Sequence, residues 1–190
     1  MDVLIDTPRF CLRSWCQSDI EPFRRMNADP AVMRFFPSTL CEEESDALYA
    51  RIQRDFARDG FGLWALDVHA GPQQNVGGFA GFVGITRTSF DPDMIEIAWR
   101  LAVPFQHKGL ATEAAAAALE AGFTRFHLDR IVAFTALQNL PSRRLMQRLG
   151  MVFECEFLHP ALDACHPLAP HVRCVMTKEA WMQKARLHRL

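Results

Sequence analysis

Tyrosine is almost missing from this chain: Tyr49 stands alone beside 15 phenylalanines and 4 tryptophans. Net charge is nearly missing as well, at −1 from 21 basic and 22 acidic residues. Without a basic excess, the chain lacks the electrostatic footprint of a nucleic-acid binder. No stretch approaches the roughly 20 apolar residues of a membrane span. The opening segment MDVLIDTPRF carries Asp2 and Asp6 and no long apolar run, so it does not read as a signal peptide. These absences predict a cytoplasmic protein with neither nucleic acid nor membrane as a partner. None of the six cysteines (Cys11, Cys16, Cys41, Cys155, Cys165, Cys174) belongs to a C-x-x-C pair, and free thiols are expected. Residues 155–174 gather Cys155, His159, Asp163, Cys165, His166, His171 and Cys174. Their spacing fits no zinc pattern and prolines interrupt it, so a polar loop without metal is the expectation.

What is present is ordinary globular material: 190 residues, 49% apolar and 23% charged, without repeats or a linker. A single domain over 1–190 follows. Alternating apolar residues predict strands at 7–15, 61–69, 75–88, 93–103, 130–137, 151–158 and 172–177, with a turn at 70–75. In DMIEIAWRLAV (93–103), Ile95, Ile97, Trp99 and Leu101 point one way and Met94, Glu96, Ala98 and Arg100 the other. Asp19 is placed as an N-cap, and a capping box pairs Thr39 with Glu42 ahead of a helix with Leu48, Ile52 and Phe56 on one stripe. Further helices are predicted from about Gly109 to Phe126, over 141–150 with Pro141 at the start and Gly150 as the stop, and at the basic C-terminus. The glycines at 77, 78, 81 and 84 suggest a bend or the close approach of another backbone. The order of elements gives a mixed α/β domain.

The densest chemical signal is PFQHKGLATEAAAAALEAGF (104–123). Gln106, Gly109 and Ala111 form Q-x-x-G-x-A between a strand and a helix. The first amides of a helix lack internal partners and sit at its positive end. A glycine on the approach, small residues at Ala111 and Thr112, and the charge of Lys108 suit a pyrophosphate. A capped helix packed tightly on a sheet is the plainer reading. Pro104 would end strand pairing and leave backbone groups nearby for a ligand. Downstream, a strand leads into N-x-x-S-x-x-L-x-x-x-L-G-M from Asn139 to Met151.

The ordered set E-I-A-W-R-L, Q-H-K-G-L-A-T-E-A and N-L-P-S-R-R-L-M-Q-R-L-G-M resembles the GNAT superfamily of N-acetyltransferases. T-P-R-F-C-L-R (7–13), D-P-A-V-M-R-F (29–35) and G-F-V-G (81–84) further resemble the branch that holds the ribosomal-protein N-terminal acetyltransferases. The resemblance implies a mixed central sheet of about six to seven strands, splayed between the fourth and fifth, with helices on both faces. It implies an acetyl-coenzyme A site and no metal. The amides of Gln106, His107, Lys108, Gly109, Leu110, Ala111 and Thr112 would hold the pyrophosphate. The backbone of Leu101, Ala102 and Val103 would pair with the pantetheine arm as an added strand, with Asn139 and Ser142 on its other side. Asn139 also suits a plain helix N-cap. The partner would be an amine, a peptide N-terminus or a small molecule, and a homodimer is compatible with the resemblance.

An amine must lose a proton before attacking a thioester, and a positioned base would help. Glu96 is the candidate base by resemblance; a structural carboxylate on a polar face is the competing reading. Glu113, in the first helical turn, reads as structural. The tyrosine that many GNAT enzymes use to reprotonate the thiolate is Met146 here, and Cys174 stands where relatives of the branch often carry another. Ser142 or water is left for that role, or no dedicated acid is needed. The acidic start Glu42, Glu43, Glu44 and Asp46 could attract a cation but suits a solvated helix end. Trp64, Phe79, Phe82 and Phe90 could wall an acceptor site or belong to the core. A GNAT fold that senses acyl-coenzyme A without turnover, and a scaffold that binds no cofactor, remain competing functions.

Overall fold

The computed structural model describes residues 3–71 and 77–187. Eight strands make one sheet in the order β1-β2-β3-β4-β5-β6-β8-β7. They are β1 (Val3–Asp6), β2 (Phe10–Arg13), β3 (Leu63–Val68), β4 (Gly78–Arg87), β5 (Ile95–Leu101), β6 (Arg130–Ala136), β7 (Val152–Leu158) and β8 (Pro170–Thr177). All neighbours are antiparallel except β5 and β6, which run parallel and meet at one register pair, Glu96 and Val132. The sheet is therefore two antiparallel halves joined at a point and open beyond it.

Helices cover both faces. The odd residues of β5, Ile95, Ile97 and Leu101, are buried with Leu110, Ala114, Ala115, Ala118 and Leu119 of α4 (Leu110–Thr124). Alanine is the strongest helix former, and its short side chain lets α4 lie close to the sheet. On the opposite face, Ala98 packs with Phe82, with Phe23 and Met26 of α1 (Ile20–Ala28), and with Ile52 of α3 (Glu42–Asp59). Between these helices lies the short α2 (Pro30–Met33), capped by Asp29, whose carboxylate accepts the Ala31 amide at 2.8 Å. α5 (Leu140–Leu149) and α6 (Lys178–Leu187) complete the domain.

The strand count exceeds the expected six to seven because β1 adds an edge strand. Four residues, two of them exposed, are too short for a period-2 pattern to declare itself. The expected turn at 70–75 lies mostly in 72–76, outside the described residues. The capping box sits two residues later than Thr39 and Glu42: the Cys41 thiol accepts the Glu44 amide, and the Glu44 carboxylate accepts the Cys41 amide at 2.8 Å. A thiol has taken the place of the hydroxyl that the pattern requires.

Asp19 precedes α1 but its side chain does not cap that helix; it closes a capping box on the preceding 3-10 turn, Gln17–Asp19, instead. It is buried and accepts both Nη groups of Arg13 at 2.7 and 2.8 Å and the Cys16 amide at 2.9 Å. Burial alone would raise its pKa; the Arg13 and Cys16 hydrogen bonds outweigh burial and hold it below the usual range. Asp67 on β3 takes the same guanidinium at 2.6 Å. Gly81 explains the glycine-rich β4: its φ is +138°, and a Cβ there would lie 2.0 Å from the Arg100 carbonyl of β5. Only glycine lets the two strands run this close.

Candidate active site

The loop from β5 to α4 is built to expose amides. Val103–Phe105 forms a single 3-10 turn, closed by the Phe105 and Gln106 amides on the Ala102 and Val103 carbonyls. His107 and Gly109 then adopt positive φ, +60° and +80°. Intrahelical bonding begins only where the Thr112 and Glu113 amides reach the Gly109 carbonyl. From His107 to Ala111 the amides have no acceptor among the described residues, so the positive end of α4 is open. Gly109 is required here by its left-handed backbone. A Cβ would meet nothing nearer than the Glu113 carboxylate at 3.6 Å.

Arg9 fixes this loop from outside. Its Nη2 donates to the Lys108 carbonyl at 2.7 Å and its Nη1 pairs with Glu113. Glu113 is thereby structural, and its charge is neutralised beside a site otherwise suited to an anion. The Gln106 side chain donates to the Leu101 carbonyl at 2.8 Å, fastening the loop to the strand end.

The Ala102 amide donates to the Ala80 carbonyl at 2.9 Å. Backbone groups alternate sides along a strand, so the even residues of β5 face β4. Trp99 and Leu101 face the side from which β6 has diverged. With the Leu101 carbonyl taken by Gln106, the open edge consists of the Trp99 amide and carbonyl and the Leu101 amide. Ala102 is turned inward and Val103 begins the 3-10 turn, so of the Leu101–Val103 segment expected from the sequence the Leu101 amide lies on the free edge, which continues upstream to Trp99.

The even side chains of β5 face α3. Glu96 is half-buried, and no hydrogen bond or ion pair reaches its carboxylate among the described residues. Desolvation pushes its pKa up to about 7, against the opposing field of Arg51. Arg100 donates through Nη1 to Asn27 Oδ1 at 2.7 Å and lies 4.3 Å from the Phe36 ring centre. Its Nε is buried without a partner. Burial, with a further contribution from Arg51, pushes it down to about 10.

Across the opening, the Asn139 carboxamide oxygen caps α5 by accepting the Ser142 amide at 3.2 Å, while its Nδ2 donates to Thr135 Oγ1 at 2.9 Å. Trp99 Nε1 donates to Ser142 Oγ at 3.2 Å. Indole is a donor only, so Ser142 accepts this bond and keeps its own proton to give. Met146, one turn further on, is buried in the core and does not line the opening. Cys174 is half-buried on β8, with its thiol pushed up by burial.

These groups share one cleft of about 730 Å³ that passes through the split in the sheet. Glu96, Leu101, Gln106, His107, Gly109, Leu110, Ala111, Thr112, Asn139 and Ser142 line it; Ala102, Val103 and Lys108 do not. Of the four aromatic residues suggested as a wall, only Phe82 lines it. Trp64 is core, Phe79 packs beside Trp15, and Phe90 joins an aromatic group with Phe134 and His159. The acidic start of α3 lies outside the cleft, where Arg24 binds Asp46 and Glu42. Among the described residues no three His, Cys, Asp or Glu side chains converge as a metal site. No described helix is long and apolar enough to cross a membrane.

The family model for the acetyltransferase (GNAT) domain matches residues 9–152. The chain belongs to the GNAT acetyltransferase family. It is 28% identical over 147 residues to the uncharacterized N-acetyltransferase YnaD of Bacillus subtilis (strain 168), covering 77% of this chain and 81% of that protein. Its fold is similar to an acetyltransferase from Agrobacterium tumefaciens str. C58, with TM-score 0.74, 20% identity and coverage of 93% and 94% of the two chains. It is also similar to spermidine N-acetyltransferase from Vibrio cholerae in complex with CoA and spermine, with TM-score 0.72, 17% identity and coverage of 93% and 99%.

This GNAT chain is thus an acetyl-CoA-dependent acyltransferase. Its own residues fit the coenzyme: a run of unpaired amides at a helix N-terminus suits a pyrophosphate, and a free strand edge suits an amide-bearing arm. Sequence reasoning missed Arg9, Arg51 and Arg100 as parts of the site. Arg100 was legible as the neighbour of Glu96 on the even face of β5. Arg51 was not, because its place depends on how α3 docks.

Proposed function

We propose that this GNAT enzyme moves an acetyl group from acetyl-CoA to a primary amine bound over the even face of β5, with Glu96 as base and Ser142 as hydrogen-bond donor to the leaving sulfur. Acetyl-CoA supplies the activated acyl thioester. The amides from His107 to Ala111 bind the pyrophosphate, with Lys108 adding charge from the rim and Gln106 and Thr112 framing the loop. The open edge at Trp99 and Leu101 receives the pantetheine arm, extending to the neighbouring Ala102 and Val103. Asn139 holds the start of α5 so that Ser142 faces the arm.

Glu96 carries this reading. A carboxylate without an ion pair at the floor of the cleft, with its pKa near neutrality, can take a proton from an ammonium group at physiological pH. The Ser142 proton is free to stabilise a thiolate whose own pKa, near 8.5, already makes it a tolerable leaving group. Likeness to the ribosomal-protein branch favours a peptide α-amine as acceptor, with small-molecule amines as the competing class, and the cytoplasm as compartment.

The test is thiol release from acetyl-CoA over a panel of peptides and small amines. Saturable release with at least one amine, lowered by about 100-fold or more in Glu96→Gln, is expected. Tight coenzyme binding with no release across the panel would mark a non-catalytic acyl-CoA-binding module instead.

A further inference from the structure

The buried Arg13 is paired with Asp19 and Asp67, and the more accessible Arg24 and Arg173 are paired with Asp46 and Glu154. Arg100 breaks the pattern. Its guanidinium contacts Asn27 and the faces of Phe36 and Phe82, but no carboxylate among the described residues. Among the described residues its only hydrogen bond is the one from Nη1 to Asn27, and Nε is sealed off without a partner. Arg51 on α3 has no ion pair among the described residues either, and its field acts on both Arg100 and Glu96. Arg34, at the end of α2, stands over the ring of Phe35 and completes the same wall. Against these three cations the cleft offers one carboxylate, Glu96.

A partly buried cation without a counter-charge is costly unless something supplies the anion. The coenzyme phosphates do not account for it. Their candidate amides lie at the N-terminus of α4, which packs on the odd face of β5. Arg100 projects from the even face, toward α1 and α3.

We propose that the acceptor amine carries its own anionic group, a carboxylate or a phosphate-type oxyanion, which Arg100 and Arg51 bind while Glu96 faces the amine. The inference rests on the acetyl-transfer reading and adds the substrate class. Guanidinium groups present paired donors that match such oxyanions. The same wall repels a polyamine, whose cationic tail would meet three arginines. The anion could belong to a free amino acid or to the acidic side chain of a peptide's first residue.

Matched amines distinguish these cases: phenylalanine against phenethylamine, and an aspartyl against an asparaginyl dipeptide amide, with spermidine as the cationic extreme. The anionic member of at least one pair is expected to have a kcat/KM at least about tenfold higher, with spermidine the poorest. The pair that shows the preference identifies the source. In Arg51→Ala, an exposed position suited to mutation without loss of fold, that preference should fall to about threefold or less through KM. Arg100→Lys, which keeps the charge but not the fork, should lose most of it too. Equal use of both members of each pair, or spermidine as the best acceptor, overturns the proposal. If no amine releases thiol, the acetyl-transfer reading fails. The anion site is then read by calorimetric binding of N-acetylphenylalanine against N-acetylphenethylamine to the CoA-loaded protein. Tenfold tighter binding of the former sustains the site, and equal affinity overturns it.

Discussion

Two properties of one side chain pull against each other at Glu96. Desolvation keeps its proton on until about neutral pH, which suits it to the base role proposed above and makes it a burden on the fold. Its pKa rises on folding from the ordinary 4.5 to about 7, so between those values the native state binds more protons than the unfolded one. Stability therefore falls as pH climbs through that window. At about 1.4 kcal/mol per pKa unit, and allowing for the open side of the cleft, the loss above pH 7 is on the order of 1–2 kcal/mol. Wild-type kcat/KM should rise with pH through about 7. Glu96→Gln should flatten that limb and lower turnover by about 100-fold or more, yet melt higher than wild type at pH 8. The difference in melting should vanish by about pH 4.5. Pairing pH–rate profiles with melting curves checks both signs at once. Alternation in DMIEIAWR placed Glu96 and Arg100 on one face, but no local pattern tells whether either finds a partner. That depends on where Arg51 and Asn27 arrive from other helices.

Among the elements, α4 shows how a helix start can be held ready for a ligand. A glycine at its entry and small first-turn residues were legible in Q-x-x-G-x-A, whereas the left-handed backbone that requires Gly109 was not. The clamp that steadies it was not: Arg9 lies about a hundred positions earlier, and its approach is a matter of sheet order. Removing it frees the Lys108 carbonyl and leaves the Glu113 charge uncompensated beside the amides. Arg9→Ala should raise the KM for acetyl-CoA by roughly tenfold, matching the loss of a charge-assisted contact of about 1.4 kcal/mol, with a smaller effect on kcat. Initial-rate kinetics at varied acetyl-CoA separates the two. An unchanged KM would show that the loop holds itself. The displaced capping box makes a related point, since Cys41 serves where sequence rules look for serine or threonine.

For the molecule as a whole, strand positions and helix faces were readable from periodicity, whereas the sheet order was not, because pairing among eight strands is a long-range property. The family likeness supplied the splay, and the structure locates it at the lone Glu96–Val132 pair. CoA bound along that opening should protect the Trp99 and Leu101 amides from hydrogen exchange and steady both halves together. At 100 times its dissociation constant it should add about 2.7 kcal/mol of stability, raising Tm by about 5–10 °C for a chain of this length. Thermal shift and amide exchange with CoA alone provide the measurement, and a Tm gain without protection at those amides would place the coenzyme elsewhere. The one-pair junction also bears on the timing of the cycle. On the proposed strand-like seating, the cofactor completes the sheet and becomes part of the fold while it is bound, so discharging the spent carrier would mean undoing a piece of the protein's own architecture on every turnover.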